Sequence, residues 1–94
     1  MFRDVEAPIQ SKVTARARLR GWNVHRLDPR ANLGVPDHIF VRMIEDRIRV
    51  IYVEFKRPAK EPEAHQERKH NKLRAQGFEV YVVDDVELGY ALFD

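Results

Sequence analysis

Three charged residues, Asp37, Glu54 and Lys56, stand where this chain is otherwise most apolar. They lie within Gly34–Pro58, GVPDHIFVRMIEDRIRVIYVEFKRP, in which two runs rich in Val, Ile, Phe and Tyr flank a charged break at Glu45-Asp46. That pattern predicts a β-hairpin. With the turn centred between Glu45 and Asp46, and no β-bulge, Met43 faces Ile48, Val41 faces Val50, Ile39 faces Tyr52 and Asp37 faces Glu54. Strand side chains alternate, so this set shares one side of the sheet, and Lys56, two residues past Glu54, joins it. An apolar ladder thus ends in two carboxylates and an amine. Opposed residues have Cβ atoms about 4.5–5.5 Å apart, and like charges there destabilise the pair. A divalent cation with oxygen ligands is the simplest compensation.

Plainer readings exist for each residue alone. Asp37 is also a good turn residue after Pro36, and Glu54 and Lys56 also suit a surface pair just beyond the sheet. Together they stand at the exit of a strand with apolar residues on both faces: Ile48, Val50 and Tyr52 on one, Ile51, Val53 and Phe55 on the other. Charges there are costly unless paired or used, which favours a functional site. Such a strand is central, so helices must pack on each face, or a second subunit must cover one.

The elements that hold this hairpin follow from the rest of the pattern. Asp4–Arg20 is predicted as a helix, capped by Asp4, with Pro8 in its first turn. Ile9, Val13 and Ala17 make its buried stripe, extendable to Val5. Beside them runs a basic stripe, Lys12, Arg16 and Arg20, either a solvated face or a phosphate contact. Glu6 stands near the positive end of the helix dipole, where a carboxylate is favourable on its own account. Trp22–Leu27 is a short strand, with Trp22 packed on the helix. Asp28–Pro36 is a loop, and Arg30 within it either touches a ligand or is simply a loop arginine. After the hairpin, Lys56, Arg57 and Lys60 form a basic knot around two prolines.

Glu63–Gln76 is a second helix, closed by Gly77. Its Leu73 face also carries Gln66 and His70. His70 reads as a half-buried, hydrogen-bonded histidine. Gln66 reads either as a first-turn residue reaching a backbone group or as a residue at the edge of the site. Arg68, Lys69, Lys72 and Arg74, interleaved with Glu67, read as a solvated outer face. Phe78–Val83 is a strand placed to pair in parallel through the helical crossover. Asp84 or Asp85 caps a last helix with the stripe Val86, Tyr90 and Phe93. The order α-β-β-β-α-β-α predicts an α/β domain with a central mixed sheet of about four strands flanked by helices.

Composition narrows the class. Ninety-four residues make one small domain, 1–94, and 44% hydrophobic content supports a thin core. With 34% charged residues but a net charge of only +2, the placement of charge says more than its sum. The absence of cysteine excludes disulfides and thiolate metal sites and suits a cytoplasmic chain. No apolar run is long enough to span a membrane, and MFRDVEAPIQ is unlike a signal peptide.

Gly-Val-Pro-Asp at 34–37 followed by Val-Glu-Phe-Lys at 53–56 resembles the PD-(D/E)XK nuclease signature. The chain as a whole resembles the VRR-NUC domain, the virus-type replication-repair nuclease. The resemblance rests on the Glu6-x-x-Ile-Gln opening, the RLDPR loop, Gly-x-Pro-Asp, Glu-x-Lys, a Gln early in the next helix, and LRAQGFEVYVVD, in that order. It covers nearly the whole chain and departs at His65, where a small hydroxyl residue is expected. It implies a restriction-endonuclease-like core and a stand-alone, phage-like member, in the host cytoplasm if of phage origin. It further implies Mg²⁺ or Mn²⁺ held by Glu6, Asp37, Glu54 and the Phe55 carbonyl. Lys56 would contact the scissile phosphate and help position or activate the attacking water, and Gln66 would support the site. The implied partner is branched DNA, cut symmetrically at four-way (Holliday) junctions by a homodimer, with no organic cofactor and no membrane. The chemistry agrees: hard carboxylates suit Mg²⁺, a metal assists phosphodiester hydrolysis in several ways, and a lysine adds charge where negative charge develops. Lys12, Arg16, Arg20, Arg30, Arg57 and Lys60 are the candidate phosphate contacts, which position DNA without reading its sequence. The alternative is a non-catalytic nucleic-acid-binding module that keeps the fold. A small interaction domain with incidental surface carboxylates is the plainest reading of all.

Overall fold

Seven elements follow one another in the predicted order: α1 (Glu6–Leu19), β1 (Asn23–Arg26), β2 (His38–Ile44), β3 (Arg47–Phe55), α2 (Ala64–Ala75), β4 (Glu79–Val83) and α3 (Val86–Phe93). This computed structural model describes residues 6–94, the side chain of Glu6 excepted. The expected Asp4 cap, the Val5 extension of the stripe and the metal-ligand role of Glu6 therefore lie outside the described residues. No described helix is long and apolar enough to cross a membrane.

The strands form one mixed sheet in the order β1-β2-β3-β4. β1 pairs antiparallel with β2, and β2 with β3. β4 lies parallel to β3, as a strand reached through a helical crossover should. The hairpin has the predicted register, with Met43 opposite Ile48, Val41 opposite Val50 and Ile39 opposite Tyr52. Its turn residues Glu45 and Asp46 both have positive φ, 49° and 65°. That is the left-handed pair of a type I′ turn, whose twist matches the strands it joins and keeps the register free of a bulge.

One face of the sheet carries Phe40, Ile51, Val53, Phe55 and Val83, all fully buried beneath α1 and α3. Ile9, Val13 and Ala17 of α1 and Phe93 of α3 supply the other half of this core. Trp22 is buried with them, its ring edge-on to Phe93 at 5.3 Å. Gly89 lets the two helices meet: a Cβ there would lie 2.4 Å from Val13 Cγ2.

The opposite face is only partly covered. α2 packs against β4, leaving Met43 and Ile48 near the hairpin tip 63% and 67% exposed. Of the two ways expected to cover both faces of β3, helices on each or a second subunit on one, α2 supplies the first over the Glu54 end and does not reach the Ile48 end. The physical reason is the crossover: α2 connects β3 to the adjacent β4, so it lies over that edge of the sheet and away from the turn.

Candidate active site

Asp37 and Glu54 stand where the hairpin opens. Leu27 N–H donates to the Asp37 carbonyl at 2.8 Å, carrying the β1–β2 pairing to the residue just before β2. The β2–β3 ladder ends with His38 opposite Val53, and one further step in the same register sets Asp37 against Glu54 on the α2 side. Glu54 lies inside β3 and is 8% exposed, which rules out a surface pair beyond the sheet.

Asp37 is held from two sides. His38 Nδ1 lies 2.7 Å from Asp37 Oδ1. Since an ionised carboxylate only accepts, Nδ1 must carry the hydrogen. Arg26 Nε is 3.8 Å from Oδ2. Burial pushes the Asp37 carboxyl upward, but the hydrogen bond and charge of His38 and the charge of Arg26 outweigh it and hold the group below the usual aspartate value. His38 itself is buried against Phe55, ring edge to face at 4.9 Å, so the core fixes the orientation of the group that fixes Asp37.

His70 reaches the other carboxylate. It is 1% exposed, and its Nε2, 3.9 Å from Glu54 Oε1, is beyond hydrogen-bond reach and has no hydrogen-bond partner. The half-buried, hydrogen-bonded histidine expected from the sequence is instead fully buried with an open nitrogen. Burial, and then the positive charges of Arg74 and Lys56, lower its pKa and favour the neutral ring. Lys56 follows β3 directly, is half-buried, and donates its backbone N–H to the Val83 carbonyl at 2.9 Å. His38 and His70 are the site neighbours that the motif did not single out. The available signal was a polar residue at a helical core position, and a histidine adjoining Asp37.

Gln66 is anchored at the start of α2, its Oε1 accepting the Glu63 N–H at 3.0 Å. This is the backbone-reaching arrangement, and it fixes the turn of α2 from which His70 projects. The Asp37 and Glu54 carboxylates and the Phe55 carbonyl at the end of β3 are hard oxygen donors of the kind Mg²⁺ and Mn²⁺ take. Among the described residues, no group of three or more His, Asp or Glu side chains is arranged to hold a metal ion. That is compatible with Mg²⁺, which is commonly held by one or two carboxylates together with waters and substrate phosphates.

The basic candidates are scattered. Arg16 and Arg20 share the Asp94 carboxylate at 2.9 and 3.2 Å, and Arg16 also lies over the Tyr90 ring. These two tie α1 to the end of α3. Arg30 folds back on Asp28 at 3.2 Å. Lys12 is exposed on α1. Arg57 and Lys60 are exposed in the tight turn after β3, where Lys60 N–H donates to the Arg57 carbonyl.

A four-stranded mixed sheet with flanking helices, carrying Asp37 and Glu54 across the open end of its hairpin, defines an α/β domain of nuclease type. A solved structure described as "VRR_NUC domain" matches it with a TM-score of 0.81 and 26% identity, over 96% of this chain and 95% of that chain. The chain has the VRR-NUC fold. Neither a protein-family model nor a curated protein matches it.

Proposed function

We propose that this protein is a metal-dependent, structure-selective DNA endonuclease that hydrolyses phosphodiester bonds and cuts four-way junctions symmetrically as a homodimer. The observation that carries the reading is the hairpin register, His38 opposite Val53, whose next step sets Asp37 against the buried Glu54 at the exit of an otherwise apolar ladder. Asp37, Glu54 and the Phe55 carbonyl would hold Mg²⁺ or Mn²⁺, with Glu6 as a further ligand. When bound, the ion supplies Lewis-acid stabilisation of the charge that develops on the phosphoryl oxygens.

The chain's own residues do the rest. His38 and Arg26 keep Asp37 ionised and oriented. His70 packs behind Glu54 and limits where its carboxylate can go. Lys56, two residues past Glu54 and close enough to His70 to bear on its charge, brings its ammonium to the scissile phosphate and orients the attacking water. Gln66 keeps α2 in place. Arg30, Arg57 and Lys60, on loops adjoining this end of the sheet, hold flanking phosphates together with Lys12. Arg16 and Arg20 contribute to the extent that phosphate competes with Asp94, and exposed ion pairs of this kind are worth only about 0–1 kcal/mol.

The uncovered sheet face around Met43 and Ile48 supports a two-fold dimer, which would supply two cuts related by symmetry. The test is end-labelled four-way junctions, flaps and duplexes incubated with and without Mg²⁺ or Mn²⁺, alongside sedimentation of the free protein. Paired symmetric cuts on the junction, only with metal, and twice the chain mass are expected. Binding without cleavage under every metal condition would make the chain a non-catalytic binding module.

A further inference from the structure

A second concave surface lies where the loop carrying Gly34 meets α2. The 28–36 loop and α2 enclose a cleft of about 450 Å³ lined by Leu33, His65, Arg68, Lys69 and Lys72. The α2 residues stand at i, i+3, i+4 and i+7, so they form one continuous stripe. Gly34 brings the loop close: its φ is +79°, and a Cβ there would lie 2.8 Å from Lys69 Cγ and 3.0 Å from the His65 carbonyl oxygen. Leu33, next in line, is left 71% exposed at the edge of a basic groove.

Unlike several arginines elsewhere in the fold, the cations of this stripe are not held in ion pairs among the described residues. Arg16, Arg20, Arg30 and Arg49 each meet a carboxylate, on Asp94, Asp28 or Glu79. Among the described residues, no carboxylate lies within ion-pair distance of Arg68, Lys69 or Lys72. Three cations beside an exposed leucine and a half-exposed imidazole match what a single nucleic-acid strand needs: a positive track for phosphates and a face on which a base can lie. The volume is that of a small-ligand pocket and has room for a nucleotide. Both walls of the cleft continue along the chain toward the carboxylates: Gly34 comes shortly before Asp37, and Lys69 precedes His70, whose Nε2 is 3.9 Å from Glu54 Oε1.

We propose that the cleft between the 28–36 loop and α2 seats an unpaired nucleic-acid strand beside the Asp37–Glu54 site, with its phosphates on Arg68, Lys69 and Lys72 and a base against Leu33 and His65. The strand binding stands by itself; its direction toward a cut rests on the nuclease reading above. The departure at His65 from the expected small hydroxyl residue thereby gains a use as a stacking surface.

The experiment is anisotropy of a labelled oligothymidine without metal, at several salt concentrations. It compares wild type, Arg68→Ala/Lys72→Ala and a charge-matched control, Arg18→Ala/Arg47→Ala, all at exposed positions and checked by thermal melting. The cleft variant should bind at least about tenfold more weakly, and the salt slope should fall by about 1.4, or 0.7 for each lost phosphate contact. The control should stay within about threefold. His65→Ala should weaken oligothymidine and spare an abasic oligonucleotide. Equal losses in the cleft variant and the control, or no loss, overturn the cleft; equal losses of both oligonucleotides in His65→Ala overturn the base contact. Cleavage is scored separately. A wild type that cuts while the cleft variant binds normally keeps the nuclease reading and removes this one. A wild type that never cuts but loses oligonucleotide through the cleft variant does the reverse. A wild type that binds no oligonucleotide overturns the cleft.

Discussion

His70 Nε2 lies 3.9 Å from Glu54 Oε1 across the contact between α2 and β3, with both side chains almost wholly removed from water. A buried nitrogen without a hydrogen-bond partner costs about 1–3 kcal/mol. Its place beside the buried Glu54 carboxylate makes His70 the residue to test for a role in the proposed site. We expect His70→Leu to leave the protein at least as stable as wild type in thermal and urea melts, while turnover on a four-way junction falls about tenfold or more and KM stays nearly constant. Full turnover in a folded His70→Leu protein would show that the imidazole only fills space.

Lys56 makes a different kind of contribution. Lys56 follows the buried Glu54 by two residues, and in the proposed mechanism its ammonium stands where charge on the phosphate would rise during hydrolysis. Lys56→Ala should therefore lower kcat about 10²–10³-fold and change junction affinity by only about threefold, since many other cations bind the backbone. Single-turnover cleavage and equilibrium binding separate the two effects. A large affinity loss with unchanged turnover would reduce Lys56 to a phosphate anchor.

Outside the site, Arg49 clamps Glu79 through two nitrogens at 2.9 and 2.8 Å, and Tyr81 adds a hydrogen bond. The Arg49 hydrogen bonds lower the Glu79 pKa below its ordinary 4.5, against a smaller upward push from burial. A carboxylate whose folded pKa is depressed stabilises the fold above its unfolded pKa and loses that contribution as pH falls through the folded value. The pair is partly exposed, so its worth is about 0.5–1 kcal/mol. Urea melts of Glu79→Gln should show that deficit at pH 7, and the deficit should shrink below about pH 4.5. A difference of the same size at pH 3 would assign it to packing instead.

The hairpin was legible because its information is local and periodic. A two-residue break between alternating apolar runs sets which residues face each other, so the Ile39–Tyr52 pair and the step beyond it could be read from spacing alone. The α2 crossover was legible for the same reason, as was a cap at Asp84 or Asp85, of which Asp85 is the one that accepts the Leu88 N–H. Arg16 and Arg20 looked like a free basic stripe because their partner, Asp94, is more than seventy positions away. His70 looked hydrogen-bonded because helical spacing gives the face a residue occupies, but not whether a donor waits there. The open hairpin tip was hidden too: apolar residues on both faces of β3 predict burial, but the length and placement of α2 decide how much of the second face it reaches.

The central claim is that Glu54 belongs to a metal-dependent phosphodiester-cleaving site, and Glu54→Gln tests it most directly because it changes the charge with little change in shape. The measurement is cleavage of an end-labelled four-way junction across a Mg²⁺ titration, with junction binding and thermal melting on the same preparations. The account predicts metal-dependent cutting by wild type and none by Glu54→Gln, with the variant folded and binding the junction within about threefold of wild type. Undiminished cleavage by Glu54→Gln, or wild-type cleavage that persists in excess chelator, would contradict it.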